Sequence, residues 1–139
     1  MADVFVSYSR RDSEFVRRLA QSVSDRGKEV WLDTDGIADG EVFPQAIKRA
    51  IEGANAFVFV ITPASVKSSY CENEVEYARE MQKRIVPVLR DPVADSDLPP
   101  EIRDRNWIPF VGDAEFDPSL NRLVGADTDL EAAKDPRGR

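Results

Sequence analysis

The run from Ala56 to Ile61 constrains the fold more than any other stretch, because all six of its side chains are apolar. A strand with one face in water alternates apolar and polar residues, whereas a strand inside a parallel sheet is covered on both faces. Thr62 and Pro63 then end the run. The run therefore predicts the central strand of a parallel β-sheet with helices on both sides.

Strand-like and helix-like segments alternate along the rest of the chain. No hairpin signal joins the strands, which favours an α/β fold with crossover helices. Pro87 lacks a backbone donor and should lie where the ladder is broken, and Pro109 suggests an edge strand. The predicted strands are Val4–Tyr8, Glu29–Asp33, Ala56–Ile61, Ile85–Leu89 and Asn106–Phe110. Four helices are predicted. The first ends at Gly27, the second starts near Pro44 and ends at Gly53, the third starts at Ser69, and the fourth runs from Asp117 to Gly125.

The composition excludes several classes of function. A net charge of −7 argues against general nucleic-acid binding and against adhesion to acidic membranes. The chain has no histidine and one cysteine, Cys71, which excludes a Ser-His-Asp triad, a thiolate metal site and an internal disulfide. No apolar run approaches the length of a membrane helix, and no signal peptide is visible. We therefore expect a cytoplasmic protein with no metal site.

The length allows one domain with one core. From Ala126 the apolar content falls. We expect a domain over residues 1–125, followed over 126–139 by a polar tail or the start of a linker to a further domain. The last predicted strand lies near the end of the sequence, and on this ground we expect a module that acts with a fused or a separate sensor.

The segment that begins at Ser69 predicts a helix with one unusual glutamate. Ser69 is a candidate N-cap, and Glu72, three residues later, completes the pattern of a capping box. At helical spacing Cys71, Val75, Ala78 and Gln82 share one side, whereas Glu72, Glu76 and Glu80 share another. Glu74 falls on the side that should face protein, where a carboxylate is costly unless a partner or a function requires it. The alternative is a glutamate at the rim of that side, with its carboxylate extended to water.

Polar residues collect at the carboxyl ends of the predicted strands. In open parallel sheets, ligands bind outside these ends, where the strand order reverses. The segments placed there are 8–11, 33–43 and 62–74. The chain has neither a G-x-G-x-x-G sequence after its first strand nor a P-loop sequence, so Rossmann-type dinucleotide binding and P-loop chemistry are both poor interpretations of this edge.

Four ordered pieces of the sequence give it a resemblance to the Toll/interleukin-1 receptor (TIR) domain of the bacterial kind. Tyr70-Cys71-Glu72-Asn73-Glu74 is similar to the W-C-x-x-E motif of that family, with tyrosine in place of tryptophan. The segment Ala54–Ser65 precedes this motif and belongs to the same piece. The other pieces are Val4–Ser9 with Arg10-Arg11-Asp12, Val30–Asp33 leading into a loop like the BB loop of the family, and Asn106–Phe110. The set spans about residues 3–110.

The resemblance implies a flavodoxin-like three-layer fold with five strands in the order 2-1-3-4-5. It also implies one of two functions. Many TIR domains cleave NAD⁺ to nicotinamide and ADP-ribose or a cyclic form, with NAD⁺ as the substrate and no cofactor; others only assemble with partner TIR domains in immune or defence signalling. In the first group the glutamate of the motif is catalytic, and it corresponds to Glu74. Self-association through the loop Thr34–Val42 is expected in either case.

The resemblance also selects candidate substrate-binding residues, each of which has a structural alternative. Arg10 or Arg11 would hold the diphosphate or form a solvated pair. Asp33 would contact the ribose or amide, or cap the strand end, and Phe43 would stack on a ring or act as a helix staple. The remaining candidates are Tyr8 (pocket wall or core), Gly40 (loop), Tyr70 (aromatic surface of the motif) and Cys71 (site lining or inert packing).

Overall fold

The computed structural model describes residues 3–32 and 45–133, with the backbone alone at 101 and from 126 onward. Its five strands form one parallel sheet in the order β2-β1-β3-β4-β5. This confirms the predicted three-layer fold and strand order. The strands are β1 Val4–Ser7, β2 Val30–Leu32, β3 Ala56–Ile61, β4 Arg84–Leu89 and β5 Ile108–Pro109.

Six α-helices cover the two faces of this sheet within the described part of the chain. The sequence predicts four of them and does not predict the single-turn helices α3 and α5, because one helical turn carries no apolar period. The helices are α1 Ser13–Asp25, α2 Gln45–Gly53, α3 Pro63–Val66, α4 Ser69–Glu80, α5 Pro100–Arg103 and α6 Phe116–Ala133.

Strand β3 is central, and all six of its residues are buried. Successive side chains point to opposite faces, so the strand contributes to two separate cores. Val58 and Val60 face α1 and α6. Phe57, Phe59 and Ile61 face α2, α4 and α5. The continuous apolar run is therefore explained by burial on both faces, as the sequence predicts.

A row of aromatic rings crosses the first three strands on the α2–α4 face. Phe5 lies opposite Trp31 on β2 and Phe57 on β3 in the sheet register. The ring centroids are 5.0 Å apart for Phe5 and Trp31 and 5.4 Å apart for Phe5 and Phe57. Cross-strand aromatic pairs of this kind stabilise the strand pairing. They hold β1 beside β3, and the carboxyl ends of these two strands therefore lie next to each other.

The two prolines in strands lie where the ladder allows them. Pro109 is in the edge strand β5, as predicted. The Leu89 carbonyl accepts a hydrogen bond from the Phe110 N–H at 2.8 Å, so the backbone polar groups of Leu89 point toward β5. Because this direction alternates along a strand, the backbone of Pro87 faces the same side. The ladder between β4 and β5 begins only at Val88. Pro87 therefore lies just outside the segment that pairs with β5, where the ladder does not require its missing N–H.

Helix boundaries depart from the sequence prediction at the C-terminal end. Helix α1 is followed by Gly27 with a φ of 88°, the left-handed conformation expected of a glycine after a helix. Gly125 does not end α6, which continues to Ala133. The predicted stop at Gly125 is wrong because an isolated glycine weakens a helix without terminating it. The division into residues 1–125 and 126–139 stays a prediction.

In the described part of the chain, no helix is long and apolar enough to cross a membrane. The cytoplasmic location stays a prediction.

Candidate active site

Ser7 and Glu74 meet at the carboxyl edge of the sheet, although 67 residues separate them in the sequence. The Ser7 hydroxyl donates a hydrogen bond of 2.6 Å to Oε1 of Glu74. Both residues are fully buried, with 0% of their surface exposed. At 2.6 Å this is a short hydrogen bond between two oxygen atoms, and it fixes one oxygen of the Glu74 side chain. Ser7 thus holds a buried glutamate side chain at the edge where parallel sheets bind ligands.

The alternation of β1 explains why Ser7 reaches Glu74. Phe5 belongs to the core under α2 and α4, whereas Val4 and Val6 belong to the opposite core. Ser7 has the same parity as Phe5, so its side chain points toward α4. Ser7 also pairs with Phe59 of β3, which places it next to the central strand.

Helix α4 presents Glu74 to the protein interior, as the helical period predicts. Its buried residues are Cys71, Glu74, Val75 and Ala78. Glu72, Glu76 and Glu80 are exposed, as expected. The period also predicts that Gln82 continues the buried side, but Gln82 lies beyond the helix, is exposed and has a φ of 58°. This prediction is wrong because the helix stops at Glu80.

The N-cap of α4 is Ser68, and the predicted cap at Ser69 is wrong. The Ser68 hydroxyl accepts a hydrogen bond from the Cys71 N–H at 3.2 Å. With this cap the third helical position is Cys71, so Glu72 cannot complete a capping box. Two adjacent serines both suit an N-cap by type, and the sequence pattern does not separate them. The inward direction of Glu74 is unaffected, because it depends on the helical period.

A second polar cluster, which sequence reasoning missed, lies at the end of β3. The Thr62 hydroxyl donates to Oδ2 of Asp12 at 2.6 Å and caps α3 by accepting from the Ser65 N–H at 3.1 Å. The Ser65 hydroxyl accepts from the Thr62 N–H at 2.9 Å and donates to the Val60 carbonyl at 2.7 Å. This cluster ties the turn after β1 to the segment before α4. The sequence Thr62-Pro63-x-Ser65 carried a helix-start signal for it.

The two arginines after β1 stay at the carboxyl edge but are exposed. Arg10 and Arg11 lie in a short 3₁₀ turn, Arg10–Asp12, whose cap is Ser9. Tyr8 is partly buried against the core of α1 and α6, on the opposite side of the sheet from Glu74. The structure therefore brings Arg10 and Arg11 to the same edge as Glu74, whereas Tyr8 belongs to the other core.

The two motif residues before Glu74 lie on its side of the sheet. Cys71 is buried, and Tyr70 packs against the same core. The Tyr70 hydroxyl is enclosed and has no hydrogen-bond partner among the described residues. Tyr70 precedes Glu74 by four residues, so both lie on neighbouring turns of one helix face. The predicted site residues Asp33, Gly40 and Phe43, with the loop Thr34–Val42, lie outside the described residues.

Glu72 and Glu76 line a separate groove beside α4. Its volume is about 250 Å³, and its other walls include Ser65, Asp97 and Leu98. The charge of these carboxylates would repel the diphosphate of a dinucleotide. This groove is therefore a poor substrate site, and the three glutamates of α4 nearest the cap are not equivalent.

A hydrogen bond from the tyrosine side chain of Tyr77 joins the C-terminal half of α4 to α2. The Tyr77 hydroxyl donates a hydrogen bond to the Glu52 carboxylate, and this bond raises the pKa of Tyr77 above its ordinary value of 10.0. The Lys83 ammonium donates to the Ala54 carbonyl at 2.9 Å. These contacts hold the helix that carries Glu74. Among the described residues, no group of acidic or cysteine side chains is arranged to hold a metal ion.

Comparison with known proteins agrees with this geometry. The family model for the TIR domain matches residues 4–124. The 2' cyclic ADP-D-ribose synthase BtTIR from Bacteroides thetaiotaomicron is 33% identical over 91 residues, which are 62% of this chain and 32% of that protein. The synthase AbTIR from Acinetobacter baumannii, of the same kind, is 30% identical over 91 residues, 62% of this chain and 34% of that protein. The chain thus spans about a third of the length of these relatives.

A solved structure shares the fold. The TIR domain of the Toll-related receptor TRR-2 from Hydra magnipapillata superposes with a TM-score of 0.73 at 22% identity, and the match covers 91% of this chain and 98% of that domain. At this identity the likeness concerns the fold alone. The family match extends over most of the chain and agrees with the observed strand order. The protein belongs to the TIR domain family.

Proposed function

We propose that the protein is an NAD⁺ nucleosidase that cleaves the nicotinamide–ribose bond, with Glu74 as the catalytic residue. The observation that carries the proposal is a fully buried carboxylate, bonded by Ser7 at 2.6 Å, at the carboxyl edge of the sheet. The motif Tyr70–Glu74 and the activity named for the relatives BtTIR and AbTIR support the substrate.

The reaction suits a chain without histidine. When the bond between ribose and nicotinamide breaks, its electron pair goes to the pyridinium nitrogen, and nicotinamide leaves as a neutral molecule. No general acid is needed. The ribose becomes oxocarbenium-like, as in glycoside cleavage, and a nearby carboxylate stabilises that positive charge. Capture by water gives ADP-ribose and capture by a hydroxyl of the same molecule gives a cyclic form; in both cases the attacking O–H loses its proton to solvent.

In this proposal Ser7 acts as a positioning residue. Its hydrogen bond fixes one oxygen of Glu74 and so limits the rotation of the carboxylate. The Tyr70 hydroxyl is enclosed and has no partner among the described residues, so it would meet a substrate hydroxyl or amide only after the surrounding segments rearrange. Arg10 and Arg11 are exposed at the same edge, where they would meet the diphosphate.

The enclosure of Glu74 adds a requirement. A carboxylate with 0% exposure does not reach a ribose until the surrounding segments rearrange. We propose that self-association, with the loop Thr34–Val42 at the contact, drives this rearrangement in defence-type signalling in the cytoplasm. A fused or separate sensor would then control activity by bringing copies together. Catalysis would depend on assembly because a neighbouring copy supplies the ordering free energy.

The same enclosure favours a second candidate, an interaction module without catalysis. In that case the Ser7–Glu74 pair would serve only to fix β1 against α4. The two functions separate in one experiment: incubation with NAD⁺ at high protein concentration, with the products resolved by chromatography. Release of nicotinamide that Glu74→Gln abolishes and Glu76→Gln preserves supports the nucleosidase. No nicotinamide release from self-associated wild-type protein supports the interaction module.

A further inference from the structure

A cavity of about 520 Å³ lies at the amino-terminal end of β4, at the opposite end of the sheet from Glu74. It exists because β5 is only two residues long and pairs with Val88 and Leu89 alone. The earlier half of β4, from Arg84 to Pro87, therefore has no strand beside it on that side, and it forms one wall of the cavity. The volume is within the range of small-molecule pockets.

Three arginines from three different elements line this cavity. Arg84 begins β4, Arg105 follows α5, and Arg122 lies on α6. All three are exposed, and no acidic residue is among the described residues of the lining. The chain as a whole carries a net charge of −7. The cavity is therefore a local concentration of positive charge on an acidic protein, and it attracts anions against the overall field.

We propose that this cavity binds an organic phosphate that carries at least two negative charges. Guanidinium groups match phosphate oxygens in a two-bond geometry, and three of them can hold a diphosphate. Asn106 adds an amide donor to the lining. The backbone N–H and C=O of Ile85 point to the same side of β4 as those of Leu89, because the two residues are four positions apart. The Ile85 N–H therefore points toward the cavity and is a further donor.

Pro87 disfavours a peptide as the occupant. An extended peptide would join the sheet by pairing with the exposed side of β4. Pro87 is on that side and has no N–H to donate, so of the residues of the unpaired segment that face this side only Ile85 could donate to the peptide. A compact anion needs only the guanidinium groups, the amide and one backbone donor.

Titration of the labelled protein with ADP, followed by backbone amide NMR, tests the proposal. Adenosine is the uncharged control. We expect ADP to shift the amides of Ile85, Asn106 and Gly125, and adenosine to leave them in place. The affinity should fall as sodium chloride is raised from about 50 to 300 mM, because the attraction is electrostatic. Glu74→Gln should bind ADP as the wild type does, which separates this site from the proposed catalysis.

Substitution of single arginines completes the test. Arg122→Gln or Arg84→Gln should weaken ADP binding about tenfold, the worth of a charge-assisted hydrogen bond. Arg49→Gln, which removes an exposed arginine from α2, is the matched control and should bind normally. These side chains are exposed, and an unchanged amide spectrum will show that the fold is kept. Equal binding by Arg122→Gln and Arg49→Gln, or ADP shifts confined to the edge that carries Ser7, would overturn the proposal.

Discussion

The hydrogen bond between Ser7 and Glu74 gives the most quantitative prediction. Ser7→Ala removes the donor and leaves Oε1 of a buried carboxylate without it. A hydrogen bond to a charged group is worth about 1.5–3 kcal/mol. If the bond positions Glu74 for the transition state, kcat/KM for NAD⁺ cleavage should fall about 10- to 150-fold, since each 1.36 kcal/mol is a factor of ten.

The assay compares nicotinamide release with stability in the same variants. Urea denaturation of Ser7→Ala should show a loss of about 1–3 kcal/mol from the desolvated carboxylate. Ser119→Ala is the matched control, because Ser119 is also buried and donates to a backbone carbonyl, that of Pro109, far from Glu74. It should lose stability but keep its activity.

Two results would refute the reasoning. Full activity in Ser7→Ala would show that the bond does not position Glu74. An equal loss of activity in Ser119→Ala would show that the effect of Ser7 comes only through stability. A double-mutant cycle of Ser7→Ala with Glu74→Gln isolates the coupling, and we expect the two effects on activity to be strongly non-additive.

Three further predictions concern the cap, assembly and pH. Ser68→Ala should cost about 1 kcal/mol of unfolding free energy in urea, and more than Glu72→Ala, because Ser68 is the observed cap of α4; a larger cost for Glu72→Ala would contradict the assigned cap. Specific activity for NAD⁺ should rise with protein concentration or tethering, since self-association is proposed to open the site; constant activity from nanomolar to high micromolar protein, with only monomer in sedimentation, would oppose it. The raised pKa of Tyr77 means that its contribution to stability is present below pH 10.0 and is lost as pH rises through the folded-state pKa. Tyr77→Phe should therefore lower urea midpoints at pH 8 and not at a pH well above 10.0; equal midpoints at pH 8 would contradict this.

The strands and helices were predictable because their signals are local, whereas the strand order was implied by the family resemblance. The six apolar residues of β3 and the helical period around Val75 are read within a few neighbours, and both gave the right burial. The same period places Glu74 inward without knowledge of any contact. Local signals fail where two neighbours are equally suitable, as with Ser68 and Ser69 at the cap of α4.

The partners at the site were not predictable, because they depend on the sheet register and on how helices dock. Ser7 meets Glu74 across 67 residues, and Asp12 meets Thr62 across 50. No periodicity in the sequence links these positions. The turn-forming types of Ser7 and Thr62 suggest only that each will find some hydrogen bond. The expected strand order places the ends of β1 and β3 side by side, but pairing these residues also required the register of β1 against β3 and the docking of α4.

The central claim is that Glu74 carries the cleavage of NAD⁺, and one comparison tests it most directly. Glu74→Gln and Glu76→Gln make the same chemical change two residues apart on α4, one in the interior and one on the exposed side. Nicotinamide release is measured by chromatography for both variants and the wild type at high protein concentration, with the fold checked by circular dichroism. We predict that Glu74→Gln loses the activity while it stays folded, and that Glu76→Gln keeps it. Undiminished nicotinamide release by folded Glu74→Gln would contradict the account.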